Sequence, residues 1–175
     1  MHTTTVLLHE DYLRLPEDDP NKYEMLWGEL HMAPSPRFTH QEIQAALIVL
    51  LGGHVRERGL GTVVGPIDLY RDEVNYVQPD ISYFTAAQLP LLGEQQIRQA
   101  PPLTVEILSP STATTDREDK RRWYAELGVR EYWLVDPLAQ RVEVIDLTTN
   151  VGLVEDPVRS IVLPDLVLPL AEIFA

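Results

Sequence analysis

The sequence has no cysteine and no apolar run long enough to cross a membrane. The absence of cysteine excludes disulfide bonds, zinc sites built on thiolates and cysteine nucleophiles. A membrane-spanning helix needs about 20 mostly apolar residues in a row, and because no such stretch occurs we predict no membrane partner. The first residues also lack the basic and then apolar pattern of a secretory signal. We therefore expect a cytoplasmic protein.

Positive charge is scarce as well, with 14 Lys and Arg residues against 27 Asp and Glu residues and a net charge of −13. Phosphate binding rests on Lys and Arg, so such a protein binds nucleic acid poorly without a specific site. This argues against a protein that coats DNA. It leaves room for an enzyme that holds a metal with acids and phosphate with a local arginine patch. The candidates for that patch are Arg37, Arg117, Arg121 and Arg122.

Several catalytic signatures are missing, namely the Gly-x-x-x-x-Gly-Lys phosphate loop, the dinucleotide fingerprint and the His-Glu-x-x-His zinc helix. A glycosidase pair could be sought in Glu24 and Glu29, or among the acids of residues 116–119, but nothing sets their separation. The 175 residues, of which 45% are hydrophobic, are enough to bury a core. We predict one domain over residues 1–175.

Two short apolar runs each carry one acid, and they are the most informative part of the chain. Residues 77–84 contain Asp80, and residues 103–109 contain Glu106 between Val105 and Ile107. Both runs are rich in β-branched and aromatic residues, which predicts strands. An acid inside an apolar strand costs free energy unless it is paired or binds a cation. The two acids are therefore candidates for a functional site.

Two Thr-x-x-Glu patterns, at 39–42 and 115–118, predict capping boxes that open helices near His40 and Asp116. Gly59 and Gly128 are the expected ends of these helices. On the second helix Trp123, Tyr124 and Leu127 share the face of Lys120, which places this lysine on the apolar side. Either its stem packs and its ammonium reaches water, or its charge is needed beside buried carboxylates.

The remaining patterns predict a hairpin around Gly28, strands joined at Asp72 and Glu73, and a second hairpin before the tail. The predicted elements are a helix at 5–15, strands within 23–32, 62–70, 74–84 and 131–146, a tail strand within 161–168 and a helical turn at 170–174.

Together, Asp80, Glu106 and Lys120 are what metal-dependent phosphodiester hydrolysis requires. Two carboxylates on neighbouring strands can hold Mg²⁺, and an ammonium can position the attacking water. A structural salt bridge is the alternative explanation. Glu29, beside the turn of the first hairpin, is typical of a solvated strand residue. His40 fits either a surface histidine or, near Arg37 at a helix N-terminus, a phosphate contact.

Pro79-Asp80 followed by Glu106-Ile107-Leu108 resembles the Pro-Asp…(Asp/Glu)-x-Lys pattern (PD-(D/E)XK) of restriction-endonuclease-like nucleases. Leu108 stands where the lysine of that pattern usually lies. Nearly the whole chain resembles the Uma-two family of that superfamily. The shared pieces are Tyr23-Glu24-Met25 with Gly28-Glu29-Leu30, His40, Gln78-Pro79-Asp80, Glu106-Ile107-Leu108-Ser109-Pro110-Ser111, Asp116-Arg117 with Lys120, and residues 131–137 (Glu-Tyr-Trp-Leu-Val-Asp-Pro).

The resemblance implies an α/β (α+β) fold of the restriction-endonuclease-like class, with a central mixed β-sheet flanked by helices. It implies that Asp80, Glu106 and the backbone carbonyl of Ile107 bind Mg²⁺, with Mn²⁺ as a substitute. Lys120 would replace the displaced lysine and position the water. Glu29 and His40 match recurrent family positions near the site.

Two functions follow from these observations. The first is a Mg²⁺-dependent DNA endonuclease, and the second is a nucleic-acid or protein interaction module on the same fold with a vestigial metal site. For the enzyme we expect a homodimer, because cutting both strands of a duplex requires two sites and exposed strand edges need cover. We also expect Lys120→Ala to remain folded, on the premise that this lysine is buried without a partner.

Overall fold

The computed structural model describes residues 8, 11, 21–93 and 97–175, and every structural statement concerns these residues. The helix expected at 5–15 lies outside them, apart from Leu8 and Asp11. The strands are β1 (Lys22–Leu26), β2 (Glu29–Ala33), β3 (Gly61–Val64), β4 (Leu69–Asp72), β5 (Asn75–Val77), β6 (Ile81–Thr85), β7 (Leu103–Ile107), β8 (Glu131–Asp136), β9 (Arg141–Asp146), β10 (Val151–Val154), β11 (Val158–Arg159) and β12 (Val167–Leu168).

The helices are α1 (Phe38–Glu57), α2 (Ala113–Thr115), α3 (Arg121–Leu127) and α4 (Leu170–Ile173), with a 3₁₀ turn at Leu89–Leu91. A π-helical turn, Asp116–Lys120, joins α2 to α3. We refer to residues 113–127 as the second helical segment. Within the described ranges no helix is long and apolar enough to span a membrane.

Six strands form a mixed sheet in the order β10-β9-β8-β7-β6-β3, in which only β7 and β8 run parallel. Four others form an antiparallel sheet in the order β2-β1-β5-β4, and β11 pairs with β12. The side chains of β7 alternate between the two faces of the large sheet. Leu103, Val105 and Ile107 pack in the core that includes α1. Leu108 packs in the core that includes the second helical segment.

This arrangement confirms the predicted central mixed sheet with helices on its faces, and it corrects several boundaries. The strands expected at 62–70 and 74–84 are each divided between the two sheets. Pro66 and Pro79 lie in the interruptions, where a residue without a backbone N–H cannot continue a ladder. Strand β10 was missed, because no alternation of apolar and polar residues marks its exposed positions.

Both capping-box predictions are wrong. The helices begin at Phe38 and Ala113, earlier than the threonines of the two patterns, and neither start has a side-chain cap. The predicted ends are correct, since Gly59 and Gly128 adopt positive φ angles of 62° and 100° just after α1 and α3. Lys120, Trp123 and Tyr124 are all buried, as the shared face predicted.

Candidate active site

Asp80 lies in the interruption between β5 and β6, where the chain passes from one sheet to the other. Its carboxylate is fixed through one oxygen: Oδ2 accepts the backbone N–H of Ile107 at 2.8 Å and lies 3.1 Å from Nε2 of His40. The amide of Gln44 donates to the backbone carbonyl of Asp80 at 2.8 Å. Strand β7 and the start of α1 therefore hold this acid from two sides.

Glu106 points from β7 toward the second helical segment and is 2% exposed. Its Oε1 accepts hydrogen bonds from Nζ of Lys120 at 3.0 Å and from the Tyr124 hydroxyl at 2.6 Å. As with Asp80, the donors gather on one oxygen of the carboxylate. Because side chains alternate along β7, Glu106 faces the second helical segment. Residues 120 and 124 of that segment are about one helical turn apart, so Lys120 and Tyr124 both face Glu106.

Lys120 is not an unpaired lysine, so that premise of the sequence prediction is wrong. Its Nζ lies 2.7 Å from Oε2 of Glu24, 3.0 Å from Oε1 of Glu106 and 3.2 Å from Oδ1 of Asp116. The contact with Asp116 lacks hydrogen-bond geometry, and this oxygen has no hydrogen-bond partner among the described residues. A single ammonium therefore joins three buried acids.

Strand β1 adds two residues that the sequence reasoning did not assign to the site. Glu24 bonds through Oε1 to the backbone N–H of Gln78 at 2.8 Å, beside its contact with Lys120. Nζ of Lys22 lies 3.5 Å from the same Glu24 oxygen and 3.7 Å from Oδ1 of Asp80. The signal was present in the sequence, because residues 22 and 24 alternate onto one strand face. Both lysines of the chain thus lie in this cluster.

Glu29 does not join the cluster, which corrects its predicted position. It opens β2 opposite Leu26, next to the hairpin turn, and its side chain is exposed. The hairpin turns at Trp27 and Gly28, so the end of β1 that carries Lys22 and Glu24 faces the cavity while the turn lies away from it. Of the two acids in the hairpin, Glu24 therefore belongs to the site.

The cluster contains more acid than base. Glu24, Asp80, Glu106 and Asp116 are all buried, and the two lysines supply only two positive charges. Burial and the nearby Asp80 carboxylate together raise the pKa of Glu106 to about 8, against the opposing charge of Lys120. Burial also acts to raise the pKa of Asp80, but the His40 hydrogen bond and the Lys22 charge outweigh it and hold that pKa at about 2. The protonated form is therefore favoured at Glu106 and the ionised form at Asp80.

The acids line a cavity of about 690 Å³. Asp80, Glu106, Ile107, Lys120 and His40 all line it, so five of the six predicted site residues meet there. His40 is mostly buried, and its Nδ1 has no hydrogen-bond partner among the described residues. The hydroxyls of Ser109, Ser111 and Thr112 form part of the wall.

Only one of the four arginines proposed for phosphate binding, Arg37, lines the cavity. Arg117 pairs with Asp136 and Glu143, and Arg121 bonds to Asn150. Arg122 pairs with Glu126 and lies over the Trp27 ring. These three arginines are engaged on the outer side of the second helical segment.

No three Asp, Glu or His side chains in the described part of the chain are arranged as a metal-ligand group. Mg²⁺ keeps several waters and takes only one or two protein carboxylates, so this ion does not require such a group.

Comparison with known proteins gives consistent results. The sequence model of the Uma2 family, described as "Putative restriction endonuclease", matches residues 9–171. Two Synechocystis proteins are similar: sll1609 is 27% identical over 143 residues, covering 81% of each chain, and slr1290 is 31% identical over 138 residues, covering 77% of this chain and 70% of the relative. Both carry the description "Uncharacterized protein".

A crystal structure from Anabaena variabilis, described as "a putative nuclease belonging to DUF820", superposes with a TM-score of 0.81. It shares 24% sequence identity, and the match covers 96% of this chain and 97% of that one. At this identity the superposition establishes the fold, which is the predicted restriction-endonuclease-like one.

Proposed function

The chain belongs to the Uma2 family, and we propose that it is a Mg²⁺-dependent DNA endonuclease, with Mn²⁺ as a substitute metal. One observation carries the proposal: the buried acids outnumber the lysines around a cavity where Asp80, which immediately precedes β6, meets Glu106 of the adjacent strand β7. A buried excess of carboxylates is costly unless protons or cations balance it. A divalent cation supplied with the substrate would provide that balance.

The donor set fits Mg²⁺. Asp80 and Glu106 each concentrate their hydrogen bonds on one oxygen, so Oδ1 of Asp80 and Oε2 of Glu106 are the oxygens proposed as ligands. The backbone carbonyl of Ile107 is proposed as a third. When bound, the ion would lower the pKa of a coordinated water and offset charge on the phosphate. All these ligands are hard oxygens, which Mg²⁺ and Mn²⁺ prefer over nitrogen or sulfur.

The surrounding residues would keep the two carboxylates in place. The N–H of Ile107 and His40 hold Asp80, while Lys120 and Tyr124 hold Glu106. Lys120 would also orient the attacking water, because its contact with Asp116 lacks hydrogen-bond geometry and one ammonium hydrogen can turn to the cavity. Glu24 would fix the position of the lysine from the opposite side. Arg37 is the arginine proposed to meet a substrate phosphate.

We propose that the protein acts as a homodimer, so that two sites can cut the two strands of a duplex. The exposed edge of the large sheet is the proposed interface. Strand β10 lies at that edge, and its Val151, Leu153 and Val154 side chains are more than half exposed. An apolar edge strand of this kind pairs readily with another strand. Light scattering would test this, and Leu153→Lys should yield a monomer.

Plasmid cleavage at low salt, with Mg²⁺ and then Mn²⁺, tests the enzyme. Wild type should nick or cut the plasmid, and Glu106→Gln should not. Glu57→Gln is the matched control, because it removes one acid from an exposed side chain at the far end of α1. Equal cleavage by wild type and Glu106→Gln would point to a contaminating nuclease.

The interaction module is the second candidate, and the ion pair between Lys120 and Glu106 favours it. In this reading the lysine is the permanent counter-ion of Glu106, and the net charge of −13 keeps nucleic acid away unless a partner supplies the contacts. Metal uptake separates the two candidates. A protein that takes up neither Mg²⁺ nor Mn²⁺ in calorimetry, and cuts no plasmid, would be the module.

A further inference from the structure

The two lysines of the site are held in different ways. Lys120 is 3% exposed and contacts its three acids at 2.7 to 3.2 Å. Lys22 is 25% exposed, and its two contacts, at 3.5 Å to Glu24 and 3.7 Å to Asp80, are too long for directed hydrogen bonds. Lys120 is therefore fixed by its partners, whereas Lys22 is attracted mainly by charge.

The oxygen that Lys22 approaches on Asp80 is the one that has no other hydrogen bond or ion pair to a described residue. Oδ2 of Asp80 is committed to Ile107 and His40, and Oδ1 faces the ammonium of Lys22. Oδ1 is also the oxygen proposed above as the metal ligand. Lys22 therefore lies beside the place where a divalent cation would bind.

We propose that Lys22 is a displaceable counter-ion, which neutralises Asp80 in the metal-free site and turns to the substrate phosphate when a divalent cation binds. This inference rests on the proposed function, and it adds that Lys22 binds the substrate phosphate that reacts. Two cations that share one carboxylate oxygen repel each other strongly in a partly desolvated site. The longer contacts and the partial exposure let the lysine move, and its four-carbon stem supplies the reach.

The cavity offers a destination for the displaced ammonium. It is lined by Lys22, Asp80 and Glu106, and also by Arg37 and residues 109–112. A phosphate placed against the two proposed metal ligands would lie within reach of the lysine. The protein would then exchange an acid partner for a phosphate partner without burying an unpaired charge.

The test is a Mn²⁺ titration by calorimetry on wild type and Lys22→Met, together with single-turnover plasmid cleavage at saturating Mn²⁺. Lys22→Met should bind Mn²⁺ at least about tenfold more tightly, because a competing charge is gone. Its cleavage rate should nevertheless fall at least about tenfold, and Lys22→Arg should restore part of the rate. A residue that only supports the fold would weaken binding and cleavage together.

Arg58→Met is the matched control, since it also removes one positive charge. It follows the last turn of the 20-residue helix α1, which places it about 27 Å from His40 along the helix axis. Neither its Mn²⁺ affinity nor its cleavage rate should change. Circular dichroism would verify that each variant is folded.

Two results would overturn the proposal, and they are distinguishable. If wild type binds no Mn²⁺, the proposed endonuclease fails and the role of Lys22 fails with it. If wild type binds Mn²⁺ but Lys22→Met binds it equally or more weakly, the metal site stands and the displaceable counter-ion is wrong.

Discussion

Two neighbouring strands of the large sheet each bury one glutamate, and the two glutamates have opposite surroundings. Glu106 lies on β7 and Glu131 on β8, which pair in parallel. Glu131 is paired with Leu103, so it faces the α1 side of the sheet, while Glu106 faces the second helical segment. Both acids are at most 2% exposed, and burial raises the pKa of each.

Neutral donors surround Glu131. Its Oε2 accepts the backbone N–H groups of Ile161 and Val162 and the Ser160 hydroxyl, and its Oε1 accepts the Trp133 indole N–H. These contacts fasten the 160–163 loop to the sheet. Glu131 does not line the 690 Å³ cavity, and its neutral donors attach a loop to the sheet, so its contacts are structural.

Charged side chains surround Glu106, and among them the acids outnumber the lysines. Its partners are Lys120 and Tyr124, with Asp80 and Asp116 close enough to raise its pKa. The comparison shows that a buried acid is not by itself the mark of a site. The mark is a carboxylate that meets other acids at a cavity instead of a full set of neutral donors.

The largest expected effect comes from exchanging the two glutamates for glutamine. Glu106→Gln should lower metal-dependent cleavage at least about a hundredfold, because it removes the charge of a proposed metal ligand, which would contribute several kcal/mol in the transition state. Glu131→Gln should keep its cleavage rate per folded molecule. It should lose about 1–3 kcal/mol of unfolding free energy, because an amide N–H₂ group would face backbone N–H donors. Cleavage assays and urea unfolding of both variants measure these two effects. Loss of cleavage in Glu131→Gln alone would mean that Glu131, and not Glu106, belongs to the active site.

The next effect concerns stability at Lys120. Lys120→Met should cost about 3–5 kcal/mol at neutral pH in EDTA, because the buried acids around it lose their common cation. The contacts thus remove the premise of the expectation that Lys120→Ala leaves the protein folded. Lowering the pH toward 5 should restore part of the loss as the acids take up protons. Urea unfolding measures the loss, with Arg58→Met as the control. An unchanged unfolding midpoint for Lys120→Met would show that these ion pairs do not stabilise the fold.

A smaller effect is the pH dependence of the metal-free protein. The pKa of Glu106 is about 8 in the folded state, above its ordinary value of 4.5, so folding favours the protonated form. Its stabilisation is complete below about pH 4.5 and is lost as the pH rises through 8, at up to about 1.4 kcal/mol per pH unit. Asp80 acts in the opposite sense: its pKa of about 2 lies below the ordinary 3.8, so its stabilisation is present above 3.8 and lost as the pH falls through 2.

Urea unfolding in EDTA at pH 6, 7 and 8 measures the Glu106 contribution. The unfolding free energy of wild type should fall over this range, and that of Glu106→Gln should fall less. Saturating Mn²⁺ should remove the difference in slope, because metal binding displaces the proton. Parallel pH profiles for wild type and Glu106→Gln in EDTA would show that Glu106 is already ionised at neutral pH.

The smallest effect is expected at Glu29, a strand acid that lies neither in the charged cluster around Glu106 nor among the neutral donors around Glu131. Glu29→Gln should leave cleavage within about twofold and the unfolding free energy within about 0.5 kcal/mol, as for an exposed residue. Glu24→Gln is the informative partner, because Glu24 contacts Lys120 and the Gln78 N–H. It should weaken both cleavage and stability. A cleavage loss confined to Glu29→Gln would mean that the hairpin rearranges when substrate binds.

Much of the fold could be predicted because its signals are local. The hairpin at Gly28, the strands around Glu106 and Glu131 and the inward face of Lys120 all follow from periods of two or 3.6 residues and from turn residues. The resemblance to the Uma-two family added the class of fold. The boundaries failed where prolines divide a run, because an apolar stretch does not reveal that its halves pair with different sheets.

The site could be predicted only in part. Asp80 and Glu106 were found because an acid in an apolar strand is conspicuous along the chain. Lys22 and Glu24 were missed because their strand reads as an ordinary hairpin arm, and Glu29 was misplaced because a sequence match carries no direction for a side chain. The residues around Glu131 did not indicate that neutral donors would surround it, since three of its four donors lie about 30 residues away.

The sequence by itself determined most of the strands and helices, that Asp80 and Glu106 would lie in apolar runs, and that Lys120 would lie on the apolar face of its helix. Local steric preferences and the spacing of apolar residues involve only a few neighbours along the chain, so they can be recognised in the sequence itself. Only the tertiary structure decided which charges meet. The pairing of β1 with β5 brings Lys22 and Glu24 to Asp80, and the face chosen by each strand separates a catalytic candidate from a structural anchor. Coulomb and hydrogen-bond energies depend on distances of a few ångströms, and those distances join residues far apart in the chain.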